Sequence, residues 1–249
     1  MGKAKVIMAI FAHPDDELDV TPMLSKYARE GHEVFLVWAT SGEKGIREHA
    51  KIPAGDSLAI KRREEGRCAT EKININPPIF LKGKDGELAN DFTGSKLSRQ
   101  IDSIYKIYKP DIVITWGPDG GYGHPDHRMV HNIVTELFQS GLHPYPLSLY
   151  YSAIPSSFWK NKEVKFKTGF GNWLNANWKP VKDEFLTVRI KCTAEDSKNA
   201  EAALKCHWSQ FTAEEIEDLQ VWMRSMNKKD TVFLRPFLHH DKIKYSIVD

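Results

Sequence analysis

Cysteine is scarce in this sequence. The 249 residues include three cysteines, Cys68, Cys192 and Cys206, and none of them belongs to a Cys-x-x-Cys pair. Secreted folds that depend on disulfides, and zinc sites built from thiolates, need more cysteines at closer spacing. We therefore expect neither a disulfide framework nor a thiolate metal site. A reducing compartment fits this composition.

Long apolar runs are also missing. The apolar segment at residues 6–12 has about half the length of a signal-peptide core with its cleavage region, and a charged motif follows it directly. A transmembrane helix needs roughly 18 to 20 apolar residues, and no stretch approaches that length. The sequence therefore predicts a soluble, cytoplasmic protein without a membrane span.

A strong excess of one charge is the third missing feature. The 35 basic and 33 acidic side chains give a formal net charge of +2. This balance provides no bulk attraction to nucleic acid or to an anionic membrane, so neither is an expected partner. The length and a hydrophobic content of 41% suffice for one sizeable core. We expect a single domain over residues 1–249, with a less regular arrangement of helices and strands from about residue 150. The sequence is also compatible with a homo-oligomer.

Strand and helix patterns alternate along the first 140 residues. Predicted strands fall at residues 6–12, 33–40, 78–81 and 111–116, with helical patterns between them and another helix from Pro125. This alternation predicts an α/β, Rossmann-like three-layer fold with a mostly parallel central sheet and helices on both faces. Ligands of such folds bind at the carboxyl ends of the strands, where the strand order reverses.

Two charged motifs follow the first and the fourth predicted strands. They read Ala12-His13-Pro14-Asp15-Asp16-Glu17 and Gly123-His124-Pro125-Asp126-His127. Three carboxylates beside a histidine repel one another unless hydrogen bonds or a cation offset the charge. A nucleotide-binding fold would have a glycine-rich turn at the first position instead. The two motifs together predict a divalent metal site.

The spacing indicates which side chains hold the ion. His13 and Asp16, three positions apart on a tight turn, can converge on one ion, and we assign His127 as the third ligand. Three protein ligands leave one position of a zinc ion open for water, which is the arrangement of catalytic sites. We expect one Zn²⁺ per chain, with Fe²⁺ as an alternative.

The remaining polar residues of the motifs suggest a hydrolytic mechanism. Asp15 is the predicted general base for a water molecule that attacks a carbonyl carbon. His124, as an imidazolium, would stabilise the oxyanion and protonate the departing amine. We expect Asp126 to bond to a His124 ring nitrogen, and Tyr122 to supply a further oxyanion donor. The motifs therefore predict the hydrolysis of an amide.

Both motifs resemble those of the PIG-L or LmbE-like zinc-dependent deacetylases, which remove the acetyl group from N-acetylglucosaminyl compounds. The resemblance extends over about the first 210 residues, through Ser41-Gly42-Glu43, Arg62-x-x-Glu65, Asp85-Gly86-Glu87-Leu88 and His207-x-Ser209-Gln210. It implies a Rossmann-like fold, the ligand set above, Asp15 as general base and His124 as general acid or oxyanion stabiliser. It also implies that Arg62 and Asp85 contact sugar hydroxyls or a neighbouring phosphate of an amino-sugar or glycoconjugate substrate.

Several residues have ordinary structural interpretations as well. Arg62 can be a solvated charge or a partner of Glu65, Asp85-Gly86 is a common turn signal, and His207 can line the site or cap a helix. The loop at residues 41–56 and the stretch at residues 158–178 match no characterised subgroup. Five aromatic side chains of that stretch can form a sugar-stacking rim or pack in the core: Phe158, Trp159, Phe170, Trp173 and Trp178.

Two other functions remain open. Two histidines and one carboxylate also form the metal site of non-haem iron(II) oxygenases. Asp15 and His124 have no evident role in that chemistry. A non-catalytic sugar-binding protein that has kept the fold is the other possibility, and the presence of Asp15 argues against it. We therefore favour an N-deacetylase.

Overall fold

The computed structural model of the chain describes residues 3–160, 165–226, 231–239 and 241–249. The strands are β1 Val6–Phe11, β2 Glu33–Trp38, β3 Ile79–Phe80, β4 Ile112–Trp116, β5 Ser148–Ser152, β6 Val188–Lys191 and β7 Thr231–Pro236. The α-helices are α1 Thr21–Arg29, α2 Asp56–Lys72, α3 Asp91–Tyr108, α4 Pro125–Gln139, α5 Ser156–Lys160, α6 Gly169–Asn177, α7 Ala194–Leu204 and α8 Ala213–Met226. Single turns of 3₁₀ helix lie at Glu48–Ala50 and Asp183–Phe185.

The described strands form one mixed sheet in the order β3-β2-β1-β4-β5-β7-β6. Strands β1 to β5 run parallel, whereas β7 is antiparallel to its neighbours β5 and β6. The strand order reverses between β1 and β4, which is where a ligand crevice forms in such sheets. The predicted α/β fold with a mostly parallel sheet is confirmed.

Helices cover both faces of the sheet. On one face, α1, α2 and α7 contribute Met23, Ala69 and Ala203 to a core that includes Phe11. On the other face, α3 and α4 contribute side chains such as Ile101 to a second core. Residues 7–11 of β1 are completely buried, as expected of a parallel strand with helices on both sides. The site at the end of β1 therefore rests on a rigid strand.

One strand in the later part of the chain was not predicted from the sequence. The sequence predicted no strand after residue 226, yet β7 inserts between β5 and β6. Its alternating burial is typical of a strand, but a strand that ends at Pro236 is short and hard to recognise. The single-domain boundary stays a prediction. In the part of the chain that the structure describes, none of the helices combines the length and apolar character that a membrane crossing requires.

The expectation of no disulfide was wrong. Cys68 of α2 and Cys206, just after α7, form a disulfide across a sequence separation of 138 residues. The two cysteines meet because α2 and α7 pack against each other on one face of the sheet. Spacing along the chain does not reveal such proximity, since a disulfide depends on the fold bringing the two Cα atoms within about 7 Å with their Cβ atoms directed toward each other.

Candidate metal centre

The two predicted motifs meet at the carboxyl ends of β1 and β4. The first forms a turn directly after β1, while His127 lies in the first turn of α4, where Pro125 occupies an early helical position. The Nδ1 atom of His13 lies 3.3 Å from Nε2 of His127. The parallel strands therefore bring together residues that are 114 positions apart in the sequence.

The three predicted ligands lie close together, with the two rings next to different oxygens of the Asp16 carboxylate. Nε2 of His127 lies 3.2 Å from Oδ1 of Asp16, and Nδ1 of His13 lies 3.6 Å from Oδ2 of the same carboxylate. Ligand atoms at zinc bond lengths of about 2.0 to 2.1 Å lie roughly 3.3 Å apart in a tetrahedron. Although burial opposes it, the His127 and His13 rings hold the pKa of Asp16 well below its usual range. These three side chains fit a divalent cation.

Hydrogen bonds on the far side of each ring support this ligand set. Nδ1 of His127 lies 3.0 Å from the Gly120 carbonyl oxygen, and Nε2 of His13 lies 3.3 Å from Oδ2 of Asp126. An N–H at each of these positions leaves the other nitrogen of the ring unprotonated, with its lone pair toward Asp16. Metal-binding histidines commonly donate their second N–H in this way, because the bond fixes the tautomer and the ring orientation.

Two groups of described side chains each have single donor atoms within 4.8 Å of one another, and both include His13 but not Asp16. They are His13, His124 and His127, and His13, Asp85 and Asp126. The second group surrounds Nε2 of His13, which lies 3.1 Å from Oδ1 of Asp85. We favour the set with Asp16, because in it the far-side N–H of each ring has an acceptor, the Gly120 carbonyl oxygen for His127 and the Asp126 carboxylate for His13.

The predicted bond between the Asp126 carboxylate and the His124 ring was wrong. That carboxylate accepts from the backbone N–H groups of Gly86 (2.7 Å) and Leu88 (3.2 Å) and lies against His13. Instead, the Asp126 backbone N–H donates to Nδ1 of His124 at 3.2 Å, so His124 caps α4. Burial and the neighbouring histidines lower the pKa of His124, which favours a neutral ring rather than the expected imidazolium.

Asp15 stands apart from the ligand set and has an unusual backbone conformation. Its φ of 100° lies in a region that costs a residue other than glycine about 1–3 kcal/mol, and such strain is commonly found at functional sites. Burial raises the pKa of Asp15 to about 6, although Nη2 of Arg62 lies 3.1 Å from its Oδ1 atom. A carboxylate with a pKa near the working pH is suited to general base catalysis.

Arg62 and Asp85 are both buried. A solvated charge at Arg62 and an ordinary surface turn at Asp85 would both be exposed. The Arg62 guanidinium donates to the carbonyl oxygens of Gly42 and Pro14, and the side chain is 3% exposed, so it is neither solvated nor paired with Glu65. Asp85 contacts His13 and accepts from the backbone N–H of Lys44 at 2.8 Å. The two side chains hold Asp15 and His13, and their contact with substrate stays a prediction.

A cavity of about 180 Å³ opens beside Asp15 and Asp16. Tyr122 lies at its wall, with ring-centroid distances of 5.2 Å to both His127 and Trp173. The other residues that line the cavity are mostly apolar or aromatic: Leu18, Asp19, Arg47, Trp116, Phe170, Trp173, Leu174, Trp178, Gln210, Phe211, Leu219 and Trp222. Aromatic side chains therefore form most of the wall of the cavity next to the candidate metal site.

The aromatic stretch contributes to both the cavity and the core. Phe170, Trp173 and Trp178 line the cavity, whereas Phe158 is buried in a neighbouring core cluster. The side chain of Trp159 and residues 161–164 lie outside the described residues. Sequence reasoning missed the contribution of α8, because no local pattern shows which face of a distant helix reaches the site.

A family model described as PIG-L, GlcNAc-PI de-N-acetylase, matches residues 8–138, which is slightly more than half of the chain. A 1D-myo-inositol 2-acetamido-2-deoxy-alpha-D-glucopyranoside deacetylase from Mycobacteroides abscessus is 32% identical over 149 residues, or 52% of this chain and 53% of the relative. The match thus spans about half the length of that relative. A deacetylase of the same description from Mycobacterium sp. (strain JLS) is 26% identical over 83% of this chain and 74% of its own length.

Solved structures share the fold over nearly the whole chain. The N,N'-diacetylchitobiose deacetylase from Pyrococcus horikoshii aligns with a TM-score of 0.70 at 19% identity, covering 94% of this chain and 84% of its own. A 4-carboxy-2-hydroxymuconate hydratase from Pseudomonas putida aligns with a TM-score of 0.62 at 16% identity, covering 97% and 100%. Because these identities are low and the two reactions differ, the likeness concerns the fold alone.

Proposed function

Since the chain belongs to the PIG-L family of GlcNAc-PI de-N-acetylases, we propose that it is an amide hydrolase that removes the N-acetyl group from an amino-sugar substrate. One observation carries this proposal: His13, Asp16 and His127 come within 3.6 Å of one another beside a strained, half-buried Asp15. This arrangement combines a three-ligand metal site with a nearby base, which is the requirement for metal-assisted hydrolysis.

His13, Asp16 and His127 are the proposed ligands of one Zn²⁺ ion. Bound there, the ion would lower the pKa of a coordinated water to about 7 and polarise the substrate carbonyl. Asp15 would accept the proton that the attacking water releases as its oxygen bonds to the carbonyl carbon. The same carboxyl would pass this proton to the amine nitrogen as the C–N bond breaks, which yields acetate and a free amine.

His124 and Tyr122 are the proposed donors to the oxyanion. Because Nδ1 of His124 accepts the Asp126 N–H, the proton of the neutral ring is on Nε2 and can donate a hydrogen bond. We therefore prefer the oxyanion role of His124 over the general-acid role. Burial keeps the pKa of Tyr122 above its usual value, so its hydroxyl remains a donor at neutral pH.

The ring-lined cavity supports a sugar or glycoconjugate as substrate, because sugars have apolar faces that pack on aromatic rings. The two curated relatives act on an N-acetylglucosaminyl inositol, and we extend that chemical class to this chain. A cytoplasmic location remains part of the proposal, although a disulfide such as Cys68–Cys206 is uncommon in reducing compartments.

A metal-dependent hydratase is the second candidate. The hydratase from Pseudomonas putida shares only the fold, but a site that activates water can serve addition to a carbon–carbon double bond as well as attack on an amide. An amide substrate distinguishes the two, since only a deacetylase releases acetate.

The test is acetate release from a panel of N-acetylglucosamine compounds: the free sugar, chito-oligosaccharides, and inositol and malate glycosides. Metal-depleted and zinc-restored protein are assayed side by side. We expect acetate release that depends on zinc for at least one member of the panel. Zinc binding without acetate release from any of them would contradict the deacetylase proposal and favour hydration assays on unsaturated hydroxyacids.

A further inference from the structure

Asp15 keeps its rare backbone conformation because a neighbouring carboxylate holds its peptide group. The Asp15 backbone N–H donates to Oε2 of Glu17 at 3.0 Å. A positive φ persists in a residue other than glycine only where surrounding contacts hold it. The direction of the Asp15 carboxylate therefore depends on where the Glu17 side chain lies.

Glu17 is itself fixed by donors from distant parts of the chain. Its other oxygen, Oε1, lies 2.8 Å from Nε2 of His207, and Nε1 of Trp38 donates to Oε2 at 3.3 Å. Glu17 is 1% exposed and His207 is fully buried. A carboxylate at this depth requires a close polar partner, and an imidazole N–H provides one.

The segment that carries His207 is tied to the helix that holds the Asp15 side chain. Two residues on, Ser209 donates to Glu65 of α2 through its backbone N–H (2.8 Å) and its hydroxyl (2.7 Å). One turn earlier on α2, Arg62 contacts Oδ1 of Asp15. The backbone and the carboxylate of Asp15 are thus held from two sides by connected elements.

We propose that Glu17 and His207 are positioning residues, a buried brace that holds Asp15 in the conformation needed to act on the attacking water. The inference rests on the proposed function, in which Asp15 is the base. Nothing in the contacts of Glu17 directs it to the cavity: both of its oxygens are occupied by Asp15, Trp38 and His207. Its effect on the reaction therefore passes through Asp15.

Substitutions of Glu17 test the brace. Glu17→Met removes both acceptor oxygens at similar length, so the Asp15 peptide loses its partner. We expect kcat to fall about 100-fold, the loss associated with a displacement of roughly 1 Å at a reacting group, while KM and zinc content stay within twofold of wild type. Glu17→Gln keeps one oxygen for the Asp15 N–H, and we expect it to recover most of the lost kcat.

A double variant distinguishes loss of the contact to Asp15 from a folding defect. Glu17→Met alone leaves a buried imidazole without its acceptor, whereas E17M/H207L replaces the pair by apolar side chains that can pack together. We expect this double variant to fold and to be as slow as E17M. His49→Gln is the matched control, because His49 contacts the carbonyl oxygen of Trp208 at 2.8 Å but not Glu17. It should keep wild-type kcat.

Crystal structures of wild type and E17M/H207L separate this inference from the proposed function. A wild-type protein without amidase activity would contradict the proposed function, but the φ of Asp15 would still show whether the brace holds it. We expect φ to leave the positive region in the double variant. An unchanged φ, or a kcat within threefold of wild type in the folded double variant, would overturn the proposal.

Discussion

Nε2 of His13 lies 3.3 Å from Oδ2 of Asp126, on the side of the ring opposite the nitrogen that faces His127. The same carboxylate is held by the backbone N–H groups of Gly86 and Leu88. The loop that contains Gly86 thus fixes a carboxylate, the carboxylate fixes a ring, and the ring presents Nδ1 to the candidate metal position.

The first prediction concerns Asp126. Asp126→Asn removes the charge that favours an N–H at Nε2 of His13, so the ring is held less firmly in the tautomer that binds metal. We expect zinc affinity to fall by about 10- to 100-fold, measured by competition with a chromophoric chelator. Asp102→Asn, a carboxylate that pairs with Lys106 on α3, is the matched control and should bind zinc normally. Equal affinities of the two variants would contradict this prediction and show that Asp85, 3.1 Å from the same nitrogen, orients the ring without Asp126.

The second prediction concerns Asp15, whose substitution should reduce turnover without weakening zinc binding. Asp15→Asn removes the proposed base but none of the proposed ligands, so we expect full zinc content and a loss of about 100- to 10,000-fold in kcat. Metal analysis and acetate release on the same protein preparation check both parts. Wild-type turnover in this variant would rule out Asp15 as the base, and a metal-free variant would assign it to the ligand set.

The sequence predicted the elements and motifs whose signals are local. The helical pattern between the second and third predicted strands gave α2, and the run at residues 6–12 gave β1, because helical patterns and continuous apolar runs depend on near neighbours. The metal motifs were recognisable because their residues are adjacent, and the strand order then brought them together.

Contacts between distant segments were not predictable in this way. Asp126 is two positions from His124, which made a bond between their side chains plausible, yet its carboxylate points to His13, 113 positions away. The burial of Arg62 under the turn at Pro14 and the disulfide of Cys68 have the same origin. Each depends on how helices pack, which a single sequence does not specify.

The disulfide gives a prediction about stability. Closing a loop of 138 residues restricts the unfolded chain, so its removal should lower the free energy of unfolding by about 2–4 kcal/mol. Urea denaturation with and without dithiothreitol measures this difference. A variant with both Cys68→Ser and Cys206→Ser is the control, and it should match the reduced wild type and not respond to the reductant. Identical curves for oxidised and reduced wild type would show that the cross-link contributes nothing.

Asp196 gives a prediction about pH. It accepts from Thr193 in the capping box of α7 and from Arg29 of α1 at 2.9 and 3.2 Å. Although burial opposes it, these donors hold the pKa of Asp196 below its usual value. A depressed pKa means that the stabilisation is complete above the unfolded-state value of about 3.9 and is lost as the pH falls through the folded-state value.

Asp196→Ala should therefore lower the free energy of unfolding by about 1–2 kcal/mol at pH 7. The difference from wild type should persist at pH 5 and shrink progressively below about pH 4, because protonation then removes the same interaction from the wild-type protein. Urea titrations of both proteins at pH 7, 5 and 3 measure it. A difference that grows toward low pH would contradict the assignment.

Trp173 tests whether the rings of α6 belong to the substrate site. The side chain is 44% exposed, lines the cavity and packs edge-on against Tyr122. A ring that stacks on substrate contributes about 0.5–1.5 kcal/mol beyond its buried area, so Trp173→Ala should raise KM about 2- to 12-fold and leave kcat nearly unchanged. Trp208→Ala is the control, because Trp208 is 46% exposed but lies outside this cavity, near Lys61. An equal KM in the two variants would assign Trp173 to the surface, whereas a fall in kcat without a change in KM would indicate that it acts through Tyr122.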